Sequence, residues 1–173
     1  MKRINIVRTV LFLATLLLSL AAVASAQDGR RCSNASLAGA WGYTETGTVM
    51  VPSQNGPVAV PAAAVGRYTF DRAGNFSGTQ YSSAGGNVSQ DTKQGTYAVN
   101  PDCTGTLTLS IYNQAGTLLR NSVWAIVLVD NATEIRGIMT SMVLPNGTPL
   151  GPIMTISAKR LFPRSRGDEQ NEQ

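Results

Sequence analysis

The feature of this sequence that most constrains its fold is an alternation of apolar and polar residues with a period of two, which runs from residue 37 to residue 162. Successive side chains of a β-strand point to opposite faces, so this period is typical of strands with one buried face. No stretch of the chain sustains the i, i+3, i+4, i+7 apolar spacing of an amphipathic helix. The pattern therefore predicts an all-β domain.

Eight predicted strands follow one another along the chain, at residues 39–51, 58–70, 75–82, 88–100, 105–113, 117–130, 134–144 and 152–162. Short connectors separate them, and residues 71–75 fit a type I turn followed by a left-handed glycine. Connectors of this length join antiparallel neighbours. An open sheet of eight strands would leave two long unpaired edges, and closure removes both. We predict a single eight-stranded antiparallel up-and-down β-barrel, with a two-sheet β-sandwich as the alternative.

The N-terminus has the layout of a secretory signal peptide. Three basic residues precede a short apolar stretch, and Ala24-Ser25-Ala26 supplies the small residues of a signal peptidase site. We expect the protein to be secreted or periplasmic. The expected organisation is a signal peptide at 1–26, an N-terminal segment at 27–36, a β-barrel domain at 37–162 and a disordered C-terminal tail at 163–173.

Composition excludes several classes of function. The chain has 14 Lys and Arg, 10 Asp and Glu, and no His. Removal of residues 1–26 takes away three basic residues, and the net charge of +1 that remains gives no reason to expect a nucleic-acid partner. Without His there is no His-based metal site, His general base or Ser-His-Asp triad. We expect neither a metal nor a cofactor.

Cys32 and Cys103 are the only cysteines of the chain. In a protein bound for an oxidising compartment, two cysteines predict one disulfide. The bond would tie the start of the mature chain to a turn some seventy residues later. In the loop-entropy model such a link stabilises the fold by at most about 4 kcal/mol.

Three segments carry a family resemblance, namely residues 32–39 (CSNASLAG), 65–78 (VGRYTFDRAGNFSG) and 95–107 (GTYAVNPDCTGTL). They resemble a group of uncharacterised secreted bacterial proteins that belong with the allene oxide cyclase barrel-like domains. The resemblance covers residues 32–162 and implies an eight-stranded barrel. It also implies kinship with cyclases that fold a polyene or epoxide substrate inside an apolar barrel, although no catalytic residue of those enzymes matches this chain.

The first strand supplies the sharpest candidate for a catalytic group, with a tyrosine as the other possibility. Trp41, Tyr43 and Glu45 alternate along it and therefore share one face. If that face is the barrel interior, Glu45 is a carboxylate among aromatic rings and could act as an acid or a base, with Trp41 and Tyr43 contacting a ligand. The alternative is a carboxylate at the rim or the outer surface, paired with Arg or Lys.

Three further residues are candidates for ligand binding. Arg67 and Arg120 interrupt strands of apolar or small residues, and an inward arginine could hold a ligand carboxylate through two hydrogen bonds. Trp124 shares the face of Arg120 and could line an apolar pocket. Solvent-facing or ion-paired arginines and ordinary core packing of Trp124 are the alternatives.

We expect a non-catalytic secreted barrel that binds a small apolar ligand or acts through its surface. One alternative is a cofactor-free cyclase or isomerase, which leaves open whether the protein is an enzyme. A second is an outer-membrane barrel, although the sequence has few aromatic residues for the membrane interfaces. No membrane contact is expected after signal removal. The predicted strands 117–130 and 134–144 are apolar on both faces, and a homo-oligomer would cover the outer one.

Overall fold

The structure is a computed structural model, and it describes residues 31–162. The predicted signal peptide at 1–26 and the predicted tail at 163–173 lie outside the described residues. Residues 27–30 of the predicted N-terminal segment also lie outside them.

The fold is a closed barrel of eight antiparallel strands. Each strand pairs with its neighbour in sequence, and the first also pairs with the last, from Trp41 opposite Arg160 to Met50 opposite Gly151. The predicted barrel is confirmed, and this last pairing excludes the sandwich alternative. The strands are β1 (Gly39–Val51), β2 (Val58–Phe70), β3 (Asn75–Ala84), β4 (Asn87–Val99), β5 (Thr104–Asn113), β6 (Leu118–Val129), β7 (Glu134–Val143) and β8 (Pro149–Arg160).

The largest difference from the predicted strand bounds is at the start of β8. The sequence predicts a start at residue 152, because prolines and glycine resemble a turn, but the strand begins at Pro149. The β7–β8 register shifts between Ile138 and Met142, and Pro152 has a ladder partner only on β1, namely Val49. Proline has no N–H and so cannot complete a ladder on both sides. It is tolerated at this position because the position pairs with only one neighbouring strand.

Side chains alternate between the interior and the outer surface as the period of two predicts, except near two register shifts. On β6, the neighbours Leu119 and Arg120 both line the interior where the β5–β6 register shifts. The second exception is on β7. Strict alternation would place Met139 and Met142 on opposite faces. Both are buried in the interior, because the register of β7 shifts against β6 and β8 between them. A bulge of this kind re-aims the following side chains.

One end of the barrel is filled and closed. Aromatic rings pack there edge-to-face and stacked, at centroid distances of 5.1–6.4 Å, and they are Trp41, Tyr68, Phe70, Phe76 and Tyr97. A single-turn helix, α1 (Asn34–Leu37), lies at this end and buries Leu37 completely. No helix among the described residues is long and apolar enough to cross a bilayer.

Side-chain bonds hold α1 on the closed end. Trp41 Nε1 donates to the Leu37 carbonyl over 2.7 Å, and Arg160 donates to the carbonyls of Ala38 and Ser36 over 2.6 and 2.7 Å. The predicted disulfide is present, with 4.9 Å between the Cα atoms of Cys32 and Cys103. Because aromatic rings and α1 fill this end, a ligand inside the described barrel has room only in the opposite half.

Candidate ligand-binding cavity

A cavity of about 410 Å³ occupies the half of the barrel opposite α1. Its volume lies in the range of small-molecule sites, about 300–1,000 Å³. It reaches solvent at the rim, where Val88 is 73% exposed. Its walls are mostly apolar and include Val49, Val60, Ala62, Ile111, Leu119, Met139, Met142, Leu150 and Met154.

A charged pair lies where the cavity meets the filled end. Lys93 Nζ on β4 lies 2.7 Å from Glu45 Oε1 on β1, and the Lys93 side chain has no exposed surface. Tyr68 OH on β2 donates to the same carboxylate oxygen over 3.1 Å and accepts from Lys93 Nζ over 3.0 Å. Three strands thus bring an ammonium, a carboxylate and a phenol into mutual contact inside the barrel.

A second polar cluster lies beside this pair. Gln80 Oε1 accepts from Tyr43 OH over 3.3 Å, and Gln80 Nε2 donates to Asp91 Oδ2 over 2.9 Å. Ser82 Oγ and Ser89 Oγ donate to the same Asp91 oxygen over 3.0 and 3.2 Å. These donors compensate the burial of Asp91 Oδ2, whereas Oδ1 of the same carboxylate, which is 1% exposed, has no hydrogen-bond partner among the described residues.

Two glycines make room for the tyrosines. Tyr43 lies opposite Gly66, and Tyr68 lies opposite Gly78. A Cβ atom at Gly66 would stand 2.7 Å from Tyr43 OH, and one at Gly78 would stand 2.8 Å from Tyr68 Cδ1. The two rings therefore stack with centroids 4.1 Å apart, which directs both hydroxyls toward the polar clusters.

Burial shifts the pKa values of these groups. Desolvation lowers the pKa of Lys93, and the Glu45 carboxylate opposes this shift. Desolvation raises the pKa of Tyr68 well above its usual value, and the negative charge of Glu45 adds to the effect. Desolvation also raises the pKa of Tyr43. Each shift reflects the cost of a charge in an environment from which water is largely excluded.

Polar atoms without a protein partner line the cavity along β6. Ser122 and Trp124 are 2% and 1% exposed, and neither Ser122 Oγ nor Trp124 Nε1 has a hydrogen-bond partner among residues 31–162. Arg120, two residues before Ser122, also lines the cavity, and its guanidinium forms no ion pair within residues 31–162. Buried donors without partners are rare in folded proteins and mark places where a ligand or water can bind.

Three of the six predicted ligand-binding residues lie together on the cavity wall, namely Glu45, Arg120 and Trp124. Trp41 and Tyr43 also point into the barrel, but they pack below the cavity. Trp41 belongs to the closed end, and Tyr43 is hydrogen-bonded to Gln80.

The candidate Arg67 does not line the cavity, and its position is that of the solvent-facing alternative. Tyr68 and Phe70 of the same strand are buried, so the period of two directs Arg67 to the outer face, where it is exposed. Arg120, by contrast, lies on the inward face of its strand, because it has the same spacing of two as the buried residues Ser122 and Trp124.

Several residues of the polar clusters are missing from the sequence-based candidates, above all Lys93 and Asp91. The predicted strand 88–100 is polar overall, which hides its buried face. The alternation along the strand could have indicated their burial. Asp91 and Lys93 lie on the same face as Tyr97, an aromatic residue that a strand of a small barrel buries.

No protein-family model matches the chain, and no curated protein matches its sequence significantly. Among solved structures, the chain is similar to one described as "EF1p2_mFAP2b bound to DFHBI". The two share 15% sequence identity with a TM-score of 0.42, and the match covers 73% of this chain and 94% of the other.

Proposed function

We propose that this protein binds a small apolar ligand inside its barrel, without transforming it, after export from the cell. The observation that carries the proposal is a cavity whose mostly apolar walls meet two buried polar atoms, Ser122 Oγ and Trp124 Nε1, that have no partner in the described part of the chain. A buried donor left without a partner costs about 1–3 kcal/mol. A ligand with an apolar body and an acceptor oxygen would satisfy these donors and cover the walls at the same time.

The position of Arg120 indicates that the ligand carries an anionic group. Its guanidinium lies on the cavity wall, and within residues 31–162 no carboxylate is ion-paired to it. Glu45 does not supply its counter-charge, because that carboxylate is bonded to Lys93 and Tyr68. A ligand carboxylate could therefore pair with Arg120 through charge-assisted hydrogen bonds.

Export belongs to the same proposal. The predicted signal peptide at 1–26 directs the chain out of the cytoplasm, and the Cys32–Cys103 disulfide is compatible with an oxidising compartment. We expect the N-terminal sequence of the exported protein to begin at Gln27, and retention of residues 1–26 would contradict secretion or periplasmic release.

The binding proposal is tested by incubating the purified protein with a lipid and metabolite extract, followed by native mass spectrometry. We expect a retained small molecule. Ala62→Phe places a large side chain in the cavity and should abolish retention of the ligand. Ala59→Phe, at an exposed position of the same strand, should leave retention intact. Equal retention by both variants would place the ligand outside the cavity and contradict the proposal.

The second candidate is a cofactor-free cyclase or isomerase, as the resemblance to allene oxide cyclase barrel-like domains implies. Its specific support is Glu45, a buried carboxylate on the cavity wall in contact with a phenol and an amine. These groups could move a proton within a confined ligand. Because isomerisation leaves mass unchanged, the retained ligand must be compared with the added one by chromatography. An altered retention time that Glu45→Gln abolishes would favour the enzyme.

The outer surface favours a barrel in water over an outer-membrane barrel. The latter needs an apolar band around its circumference. The outward residues of β3 and β4 include Ser77, Thr79, Thr92 and Gln94, which are all exposed and polar.

A homo-oligomer is also part of the proposal. Outward apolar residues cluster on β6 to β8, where Val127, Ile138 and Ile153 are 38%, 56% and 69% exposed. A second copy of the chain could cover this face. Sedimentation analysis is expected to give a mass above that of one chain, and Ile138→Lys should lower it.

A further inference from the structure

Lys93 is a reactive group of the cavity wall that non-covalent binding does not use. Its side chain lines the cavity together with Glu45 and is buried. Lys93 Nζ is hydrogen-bonded to Glu45 Oε1 and to Tyr68 OH. An ammonium has three donors, so one position on the nitrogen has no partner within residues 31–162.

The surroundings of Lys93 favour a neutral amine more than water does. Burial lowers its pKa, and the positive charge of Arg120 acts in the same direction, while Glu45 and Asp91 oppose both. The nitrogen also lies 4.8 and 5.4 Å from the ring centroids of Tyr43 and Tyr68. A neutral amine is a nucleophile toward carbonyl carbon, and burial in an apolar site is a known way to obtain one.

We infer that the cavity holds apolar aldehydes covalently and reversibly, as imines of Lys93. Two features of the geometry carry this inference. The amine lies on the wall of a cavity whose lining is mostly apolar, and Glu45 lies 2.7 Å from the nitrogen. The carboxylate would serve as the counter-ion of the protonated imine, which is stable away from water only when paired. The inference rests on the proposed binding of small apolar molecules in this cavity.

The reaction is a condensation without oxidation or reduction. The amine nitrogen attacks the aldehyde carbon, the carbon–oxygen double bond breaks, and a carbon–nitrogen double bond forms. The aldehyde oxygen leaves as water with two of the three ammonium protons, and the third stays on the iminium nitrogen. Hydrolysis reverses each step and releases the unchanged aldehyde.

The chain provides its own control for a test, because Lys93 and Lys159 are the only lysines after residue 26. Lys159 is exposed on the outer face of β8. The purified protein is incubated at pH 7 with biphenyl-4-carbaldehyde and sodium cyanoborohydride, which reduces an imine to a stable secondary amine. Peptide mapping by mass spectrometry then measures the adduct on each lysine.

We expect at least about tenfold more adduct on Lys93 than on Lys159, because the cavity holds the apolar aldehyde beside the Lys93 amine, whereas Lys159 meets it only from bulk solution. Ala62→Phe should reduce the adduct on Lys93 and leave that on Lys159 unchanged. In guanidinium chloride, where the cavity is lost, the two lysines should react equally. Equal labelling in the folded protein would overturn the inference.

A matched alcohol separates failure of this inference from failure of the proposed function. Biphenyl-4-methanol has the same apolar body but cannot form an imine, and quenching of tryptophan fluorescence reports its binding. If the alcohol binds and the aldehyde leaves Lys93 unlabelled, the imine is excluded and the binding function stands. If the alcohol does not bind and Lys93 stays unlabelled, both are overturned. Lys93→Arg, which keeps the charge beside Glu45, should bind the alcohol without forming an adduct at position 93.

Discussion

Lys93 Nζ and Glu45 Oε1 lie 2.7 Å apart inside the barrel, although 48 residues separate the two in sequence. Both side chains are almost completely withdrawn from water, so neither charge can be left alone there at low cost. This pair separates the packed aromatic end of the barrel from the cavity. It also places two charged side chains on a cavity wall that is mostly apolar and includes Arg120.

Removal of one member of this pair is expected to destabilise the protein strongly. Lys93→Met leaves the Glu45 carboxylate buried without its counter-charge, and the free energy of unfolding should fall by about 3–5 kcal/mol. Urea denaturation followed by circular dichroism measures the change. The double variant Lys93→Met with Glu45→Gln should regain much of the loss, because it removes both charges. A double variant as unstable as the single one would show that packing, and not charge, sets the cost.

Arg120 is expected to govern the binding of anionic ligands. Hydrogen bonds to a charged group contribute about 1.5–3 kcal/mol, so Arg120→Leu should weaken the binding of dodecanoate roughly 10- to 100-fold. Binding of dodecanol should change little, because it carries no charge. Isothermal titration calorimetry compares the two ligands. Arg67→Leu, on the outer face, is the matched control, and an equal loss in that variant would contradict an anion site at Arg120.

The buried tyrosines are expected to limit stability at alkaline pH. Burial raises the pKa of Tyr43 and Tyr68, and it raises the pKa of Tyr97 to about 12. In the unfolded chain tyrosine ionises near pH 10. Above that pH the native state binds more protons than the unfolded state, so the free energy of unfolding falls as pH rises. Lys93 has the opposite effect over a lower pH range. Because burial lowers its pKa, the native state loses this proton before the unfolded state does, and the free energy of unfolding rises with pH until the pKa of the unfolded chain, about 10.5, is passed.

Urea denaturation between pH 9 and pH 11.5 tests this effect. The loss should approach about 1.4 kcal/mol per pH unit for each buried tyrosine. Tyr43→Phe should make the alkaline decline shallower by about that amount. Tyr81→Phe serves as the control, because Tyr81 is 59% exposed, and its profile should parallel that of the unmodified protein. Identical declines in both variants would mean that Tyr43 ionises freely in the folded barrel.

Loss of the disulfide is expected to weaken the fold without emptying the cavity. The Cys32–Cys103 bond closes a separation of 71 residues, for which the loop-entropy model gives at most about 4 kcal/mol. Replacement of both cysteines by serine should lower the free energy of unfolding by up to this amount. Ligand affinity should remain, because the bond lies at the closed end beside α1. A large loss of affinity at temperatures where the variant is folded would show that the two ends are coupled.

The strand pattern of this protein was predictable because closure of the barrel imposes a simple rule on every strand. Residues of one phase face the interior, and Trp41, Tyr43 and Glu45 were placed together on that basis. The rule fails at Met142, where a register shift changes the phase, and it directs the candidate Arg67 to the outer face. Neither a shift in pairing nor the lack of an ion-pair partner for Arg120 among the described residues can be read from one strand considered alone.

The polar interior was harder to predict. Asp91 and Lys93 lie on a strand that is polar overall, and their burial follows from their alternation with Tyr97. Their roles depend on Glu45, Tyr68 and Gln80, which come from three other strands.

The sequence by itself determined that the chain forms eight antiparallel strands and that its two cysteines are joined, because these depend on local alternation, turn chemistry and cysteine count. It left a two-sheet sandwich open as the alternative to a closed barrel, and the pairing of β1 with β8 decided between them. Only the tertiary structure decided that one half of the interior is packed with aromatic rings while the other half is a cavity. It also decided which charges meet there. The physical reason is that a closed barrel brings side chains from distant strands to one level of its interior, and their contacts depend on the strand register and on the sizes of facing residues such as Gly66 and Tyr43.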